Sequence, residues 1–262
     1  MDPLALAAKM KRLSVWVDRT CQPAGFIQHC YDGPPFGNAY VSIDPERQGT
    51  AASANWNRIH LCGTEAGLTQ DGFARLLEQF KAAGVRRFFI WLSPGPDIDT
   101  VRGWVRDAGF TRNPWTGYPT LYRANVKPAR FRTTLDIREV DPAEVKQARA
   151  VLDDTMWDEY ERSAGKSGFR HFMAFDGSRP VGVGALGVFE GIGYLTSAAT
   201  AEAHRKRGAQ SALIAVRIEK ARALGCTSLV VETLTMLEQS LRNLQRAGFE
   251  VAFEKEVYGR YA

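Results

Sequence analysis

The chain has 262 residues, of which 45% are apolar and 24% charged, and a formal net charge of +5. This ordinary globular composition excludes a disordered chain, a collagen-like repeat and a small disulfide-stapled scaffold. No apolar run reaches the ~18 residues of a membrane helix, and the mild basic bias suits an anionic ligand without demanding nucleic acid.

The N-terminus opens Met1-Asp2-Pro3 and soon carries Lys9, Lys11 and Arg12. That is not the basic, apolar, small-residue order of a secretory signal, so a cytoplasmic protein is expected. Cys21, Cys30, Cys62 and Cys226 form no C-x-x-C pair, and His29, His60, His171 and His204 are equally scattered. Reduced thiols and no metal site are expected.

Next in chain order, Leu77 to Gly84 reads as the end of an amphipathic helix closed by glycine. The apolar run Arg87 to Leu92 predicts a strand. A second helix follows from Val101 and ends Ala108-Gly109-Phe110. The same order returns later in the chain. A helix ends at Ile218 to Gly225, a strand runs from Ser228 to Thr233, and a helix from Ser240 ends Ala247-Gly248-Phe249. Two such units in register over about fifty residues predict an internal duplication. The polar, proline-containing stretch Ala124 to Arg130 interrupts both patterns and predicts a boundary. Domains at 1–126 and 131–262 follow, each near the usual domain size.

In the second half, Thr133 to Arg138 predicts a strand. Asp141-Pro142 starts a helix that carries Val145, Ala148, Val151 and Leu152 at helical spacing. A short helix holds Met156, Trp157 and Tyr160. Strands at His171–Phe175, Val181–Phe189 and Tyr194–Thr200 are separated by turns at Asp176-Gly177 and Glu190-Gly191. An antiparallel meander followed by helix, strand, helix and strand is an α+β, or mixed α/β, layout.

The stretch from Thr200 to Ile214 carries the chemistry. A strand ends, a basic loop with Arg205, Lys206, Arg207 and Gly208 follows, and a helix begins. The first N–H groups of a helix lack intrahelical partners, and its dipole places partial positive charge there. Gly208 lets a phosphate approach the backbone, so a diphosphate or another compact polyanion is the expected ligand. The same charges also suit a solvated loop or a nucleic-acid contact. No aromatic or basic stripe supports the latter.

Arg205 and Gly208 match the acyl-CoA-binding pattern [QR]-x-x-G-x-[GA], with Gln210 departing at the last position. The segment, with Ser211 to Ile214 and the Ser240 to Phe249 stretch, resembles the GCN5-related N-acetyltransferases (GNAT). The resemblance implies two tandem GNAT-like domains, each a mostly antiparallel central sheet flanked by helices. It also implies acetyl-CoA as co-substrate, held in a gap between the fourth and fifth strands. The backbone of Ala198, Ala199 and Thr200 would pair with the pantetheine arm. The amides of Arg205, Lys206, Arg207, Gly208, Ala209, Gln210 and Ser211 would hold the pyrophosphate, and Asn243 would flank the arm.

The implied reaction is direct transfer of an acetyl group to a primary amine of a small molecule, with no nucleic acid or membrane partner. Ala198 is the expected backbone donor to the thioester carbonyl. The family's usual tyrosine acid falls on Leu244, so it does not carry over; Ser240, one turn earlier, is the substitute candidate. Glu232, at the end of the fifth strand, is the candidate base or else a structural glutamate. Asp153, Asp154, Asp158 and Glu159 suit either recognition of a cationic amine or a solvated helix end. The missing tyrosine also fits a non-catalytic acyl-CoA-binding sensor.

Sliding the second half onto the first places Gly208 on Gly67, and Arg205 to Arg207 on Thr64, Glu65 and Ala66. The positive charges are gone, so the first half reads as a degenerate copy that packs Trp56, Trp91, Trp104 and Trp115 into a core or a shared interface and walls off part of the acceptor pocket; the alternative is that it binds a different, less charged ligand.

Overall fold

A computed structural model describes residues 2–22, 25–47, 56–64, 67–113, 117–124, 127 and 131–260. The architecture is mixed α/β, and its two compact units do not follow chain order. The first comprises Met1–Val15, Gln22–Pro119 and Ala252–Ala262; the second comprises Trp16–Cys21 and Thr120–Val251. The division predicted at 1–126 and 131–262 follows the sequence repeat. The units depart from it because each half gives its last strand to the other unit's sheet. Most of the predicted linker lies outside the described residues, as do Glu65, Ala66 and Trp115.

The first unit holds β1 (Ile27–Cys30), β2 (Tyr40–Ile43), β3 (Arg58–Leu61), β4 (Phe89–Leu92) and β5 (Thr111–Arg112). β1–β2 and β2–β3 are antiparallel, and β3–β4 is parallel. Glu256–Gly259, from the final strand β12 (Glu250–Gly259), pairs antiparallel with β4. Alternation sends Val41, Ile43, Ile59, Leu61, Ile90 and Leu92 to one face. There they bury Phe73, Leu76 and Phe80 of α2 (Gln70–Ala82) and Val101 and Val105 of α3 (Ile98–Asp107). Full burial of such a side chain is worth ~1.5–3 kcal/mol. The predicted helix ends at Gly84 and Gly109 take positive φ, 71° and 81°.

The second unit orders its strands β6, β11, β10, β9, β8, β7. These are β6 (Tyr118–Ala124), β7 (Asp136–Val140), β8 (Phe169–Asp176), β9 (Arg179–Phe189), β10 (Ile192–Thr200) and β11 (Ser228–Glu232). Only β10–β11 is parallel. α4 (Asp154–Ser163) opens with a cap from Asp153. α5 (Ala209–Ala223) packs Leu213, Ile214 and Ile218 into the sheet, joined by Leu244 of α6 (Glu238–Arg246).

Two elements differ from expectation. Val145–Ala150 is a 3-10 helix, its turns closed by bonds three residues back such as Val145 N to Pro142 O, Gln147 N to Glu144 O and Val151 N to Ala148 O. Its Val145 and Ala148 are still buried, with Leu152 after them. The strand predicted at Thr133–Arg138 begins only at Asp136. Thr133 is engaged elsewhere, its hydroxyl donating to Arg207 O at 2.8 Å and accepting from Leu135 N. The sequence reading also missed α1 (Pro3–Cys21). Its Leu6, Met10 and Leu13 recur at helical spacing and are buried, and Trp16 stacks on Phe169 in the second unit at 4.8 Å.

Candidate active site

The parallel register of β10 and β11 runs from Ile192–Ser228 to Leu195–Val231 and stops there. Beyond it β10 continues on β9 through Thr200, while Glu232 continues on β6 opposite Thr120. The parallel pairing therefore ends before either strand does, at the place where the resemblance implies a gap between the fourth and fifth strands. The register of β10 on β9 shifts between Thr196 and Ala199, and Ser197 takes φ +47°. Positive φ on a non-glycine residue is a costly conformation that persists only when its surroundings fix it.

Past β10, a 3-10 turn at Glu202–His204 leads to Arg205, Lys206 at φ +65° and Gly208 at φ +84°. Gly208 is the N-cap of α5 and supplies no side chain to bond the first N–H groups. A Cβ there would lie 2.9 Å from Arg132 O, so close backbone packing as well as the left-handed turn requires glycine. The helix start is thus open to an anion.

The cations do not contribute alike. Arg205 is exposed and reaches Glu202 only at 3.6 Å, a weak pair. Lys206 is exposed. Arg207 donates twice to Asp176, at 2.5 and 3.0 Å, and this pairing lowers the Asp176 carboxyl and raises the guanidinium. Arg207 is therefore committed to a carboxylate, which weakens the expectation that all three charges serve the ligand.

The structure brings Gln210, Ser240 and Asn243 together. Gln210 Nε2 donates to Ser240 Oγ at 3.1 Å, and Asn243 Nδ2 donates to Gln210 Oε1 at 2.5 Å. Asn243 Oδ1 also accepts from Gln239 and Arg246. The departure from the family pattern at Gln210 thus ties α5 to α6. Leu244 is buried in the core, far from the polar role its position suggested. Glu232 accepts from the Thr120 hydroxyl at 2.9 Å, a partner supplied by β6 that sequence order conceals. Thr200 Oγ1 is buried and finds no hydrogen-bond partner among the described residues, at the place predicted to meet pantetheine amides.

Two further residues meet at the β10 shift. Glu159 Oε1 accepts from Thr196 Oγ1 at 2.7 Å and from Ser197 Oγ at 3.1 Å. From α5, buried Arg217 donates to Leu213 O, Ala185 O and Thr196 O at 2.9, 3.1 and 3.3 Å. Burial lowers this guanidinium to about 10, so it remains charged at neutral pH. Gly184 makes room for it, since a Cβ there would lie 2.8 Å from Arg217 Cζ.

Residues 135–249 match the family model described as the Acetyltransferase (GNAT) family. The second unit carries a GNAT domain. The whole chain is similar to a GCN5-related N-acetyltransferase from Kribbella flavida, with 15% identity, 98% of this chain and 95% of that one covered, and a TM-score of 0.68. It is also similar to a tandem GNAT protein from the clavulanic acid biosynthesis pathway, with 8% identity, 94% and 86% coverage and a TM-score of 0.62. At these identities the likeness shows the fold. No curated protein matches the chain. Among the described residues, no helix is long and apolar enough to cross a membrane.

Proposed function

We propose that the second unit transfers an acetyl group from acetyl-CoA directly to a primary amine of a small molecule. The observation that carries this is the open, glycine-led start of α5 beside the parting of β10 and β11. Acetyl-CoA supplies the activated thioester. Backbone amides from Arg205 to Ser211 hold its pyrophosphate, with full charge from Arg205 and Lys206. The strand Ala198–Thr200 offers its edge to the pantetheine arm, and the orphaned Thr200 hydroxyl suits such a polar ligand. Ala198 N–H is the proposed donor to the thioester carbonyl, where charge develops during transfer. Ser240 and Glu232 flank the opening as polar groups. No tyrosine acid stands at Leu244, so the thiolate takes its proton from Ser240 or from water.

Burial of Leu244 favours one rival, a non-catalytic acyl-CoA sensor. The test is free-thiol release from acetyl-CoA across a panel of primary amines, beside a thermal-shift titration. Turnover with any amine above the hydrolysis background supports transfer. A rise in melting temperature with acetyl-CoA but no thiol release supports the sensor.

A further inference from the structure

We propose that Glu159 is the proton acceptor for the incoming amine, an assignment that rests on the acetyl-transfer reading above. In a regular strand successive side chains point to opposite faces. Thr196 and Ser197 break that rule. Their hydroxyl oxygens lie 3.4 Å apart, and both reach the same carboxylate oxygen of Glu159. They do so because Ser197 adopts φ +47° within the register shift of β10. The conformation is held from behind, where buried Arg217 donates to the Thr196 carbonyl.

The result is a carboxylate fixed through Oε1, while Oε2 receives no hydrogen bond among the described residues. Thr196, one of its two donors, is the residue after Leu195, the last β10 residue in parallel register with β11. Strain of this kind, held in place by its surroundings, clusters at functional sites. A carboxylate locked at one oxygen and open at the other is suited to take a proton.

The step balances as follows. The lone pair of a neutral amine attacks the acyl carbon and forms a C–N bond. The C–S bond breaks and its electron pair goes to sulfur. The nitrogen's surplus proton passes to Glu159 Oε2 and then to solvent, and the thiolate is protonated by water or by a hydroxyl whose proton water replaces.

Glu159→Gln keeps an oxygen that accepts from both hydroxyls but removes the basic group. We expect kcat to fall by about 10²–10⁴-fold, with the acetyl-CoA dissociation constant changed by less than about threefold. Glu159→Ala should be equally slow and should regain activity when formate is added, which a merely structural role would not produce. Three results overturn the assignment. One is Glu159→Gln retaining kcat within about threefold; another is a loss confined to KM; the third is Glu159→Ala left unmoved by formate. Native protein that binds acetyl-CoA yet releases no thiol with any amine refutes acetyl transfer itself, and this role with it. Turnover by the native protein tells the two failures apart, and retained acetyl-CoA binding shows that the variants are folded.

Discussion

Both units place two strands in parallel and start a helix between them, yet the described residues end the two pairings differently. In the first unit β3 and β4 stay paired to Leu61–Leu92, and the loops beyond them meet backbone to backbone. Thr64 N donates to Pro96 O at 2.8 Å. A Cβ on Gly63 would lie 2.0 Å from Pro96 O, and one on Gly95 would lie 2.1 Å from Cys62 O. The corresponding place in the second unit parts after Leu195 and Val231. The helix starts differ in the same sense. Thr69, not Gly67, caps α2, and its hydroxyl accepts from Gly72 N at 3.0 Å. Gly208 caps α5 with no side chain at all. The first unit caps its helix start with its own side chain; the second, on the proposed function, leaves that place to a ligand.

The largest test of this contrast is stoichiometry. One chain should bind one acetyl-CoA, read by calorimetric titration. Gly208→Val should abolish both the binding heat and the thermal shift, because valine is strained at φ +84° and its Cβ would press on Arg132 O. Should that variant misfold, Arg205→Glu with Lys206→Glu tests the same site through exposed side chains. A charge-assisted bond is worth ~1.5–3 kcal/mol, so losing two costs at least two powers of ten in affinity. Arg207 is left intact there, because reversing it would set two carboxylates against each other at Asp176. Two molecules bound per chain, or one site surviving these changes, would erase the contrast.

A second test separates the cores by pH. Each unit buries an imidazole. His60 lies well below its ordinary value through burial and the nearby Arg58, Lys255 and Lys11. His171 is driven from 6.5 to about 4, mainly by burial, and is bonded to Ser163 Oγ. A depressed folded pKa means the neutral form belongs to the native state. Its contribution is whole above pH 6.5 and is lost as pH falls through about 4. That difference amounts to about 3 kcal/mol for His171. His171→Gln should therefore lose about 3 kcal/mol less stability than the native chain between pH 7 and 4 in urea denaturation. Equal losses would show that His171 does not titrate with unfolding of the second unit.

The contrast was partly legible in the sequence. Glycine-closed helices at Gly84, Gly109, Gly225 and Gly248 announced the duplication, because a left-handed helix end is a local signal. The basic loop and Gly208 were legible for the same reason. The exchanged strands were not, because Phe249 shows that a strand follows but not which sheet it joins. Thr69 was missed because matching Gly208 to Gly67 from the helix ends assumed helices of equal length, and α2 has 13 residues where α5 has 15. Nothing local marks the turn at Ser197, so Glu159 stood undistinguished among Asp153, Asp154 and Asp158. Arg217 reads as a solvent-facing helix residue. The signal that could have found it is Gly184 in β9, which removes a side chain where the guanidinium must lie.

The smallest effect should come from uncapping the first unit. Thr69→Ala removes the hydroxyl that bonds Gly72 N, and loss of an N-cap costs ~1 kcal/mol. The melting temperature should fall by a few degrees, consistent with a loss of that size in a chain of this length. The freed N–H groups should still recruit no second acetyl-CoA. Thr69 N donates to Pro35 O at 2.9 Å, so protein backbone already lies over the helix start. The parallel strands beside it also remain closed by the Thr64–Pro96 contact. If titration of Thr69→Ala instead showed a second molecule bound, the cap alone would be what separates the two units. Closure of the strands would then be incidental. If stoichiometry stays at one while stability falls, the closed strands exclude the ligand and the cap merely completes a helix.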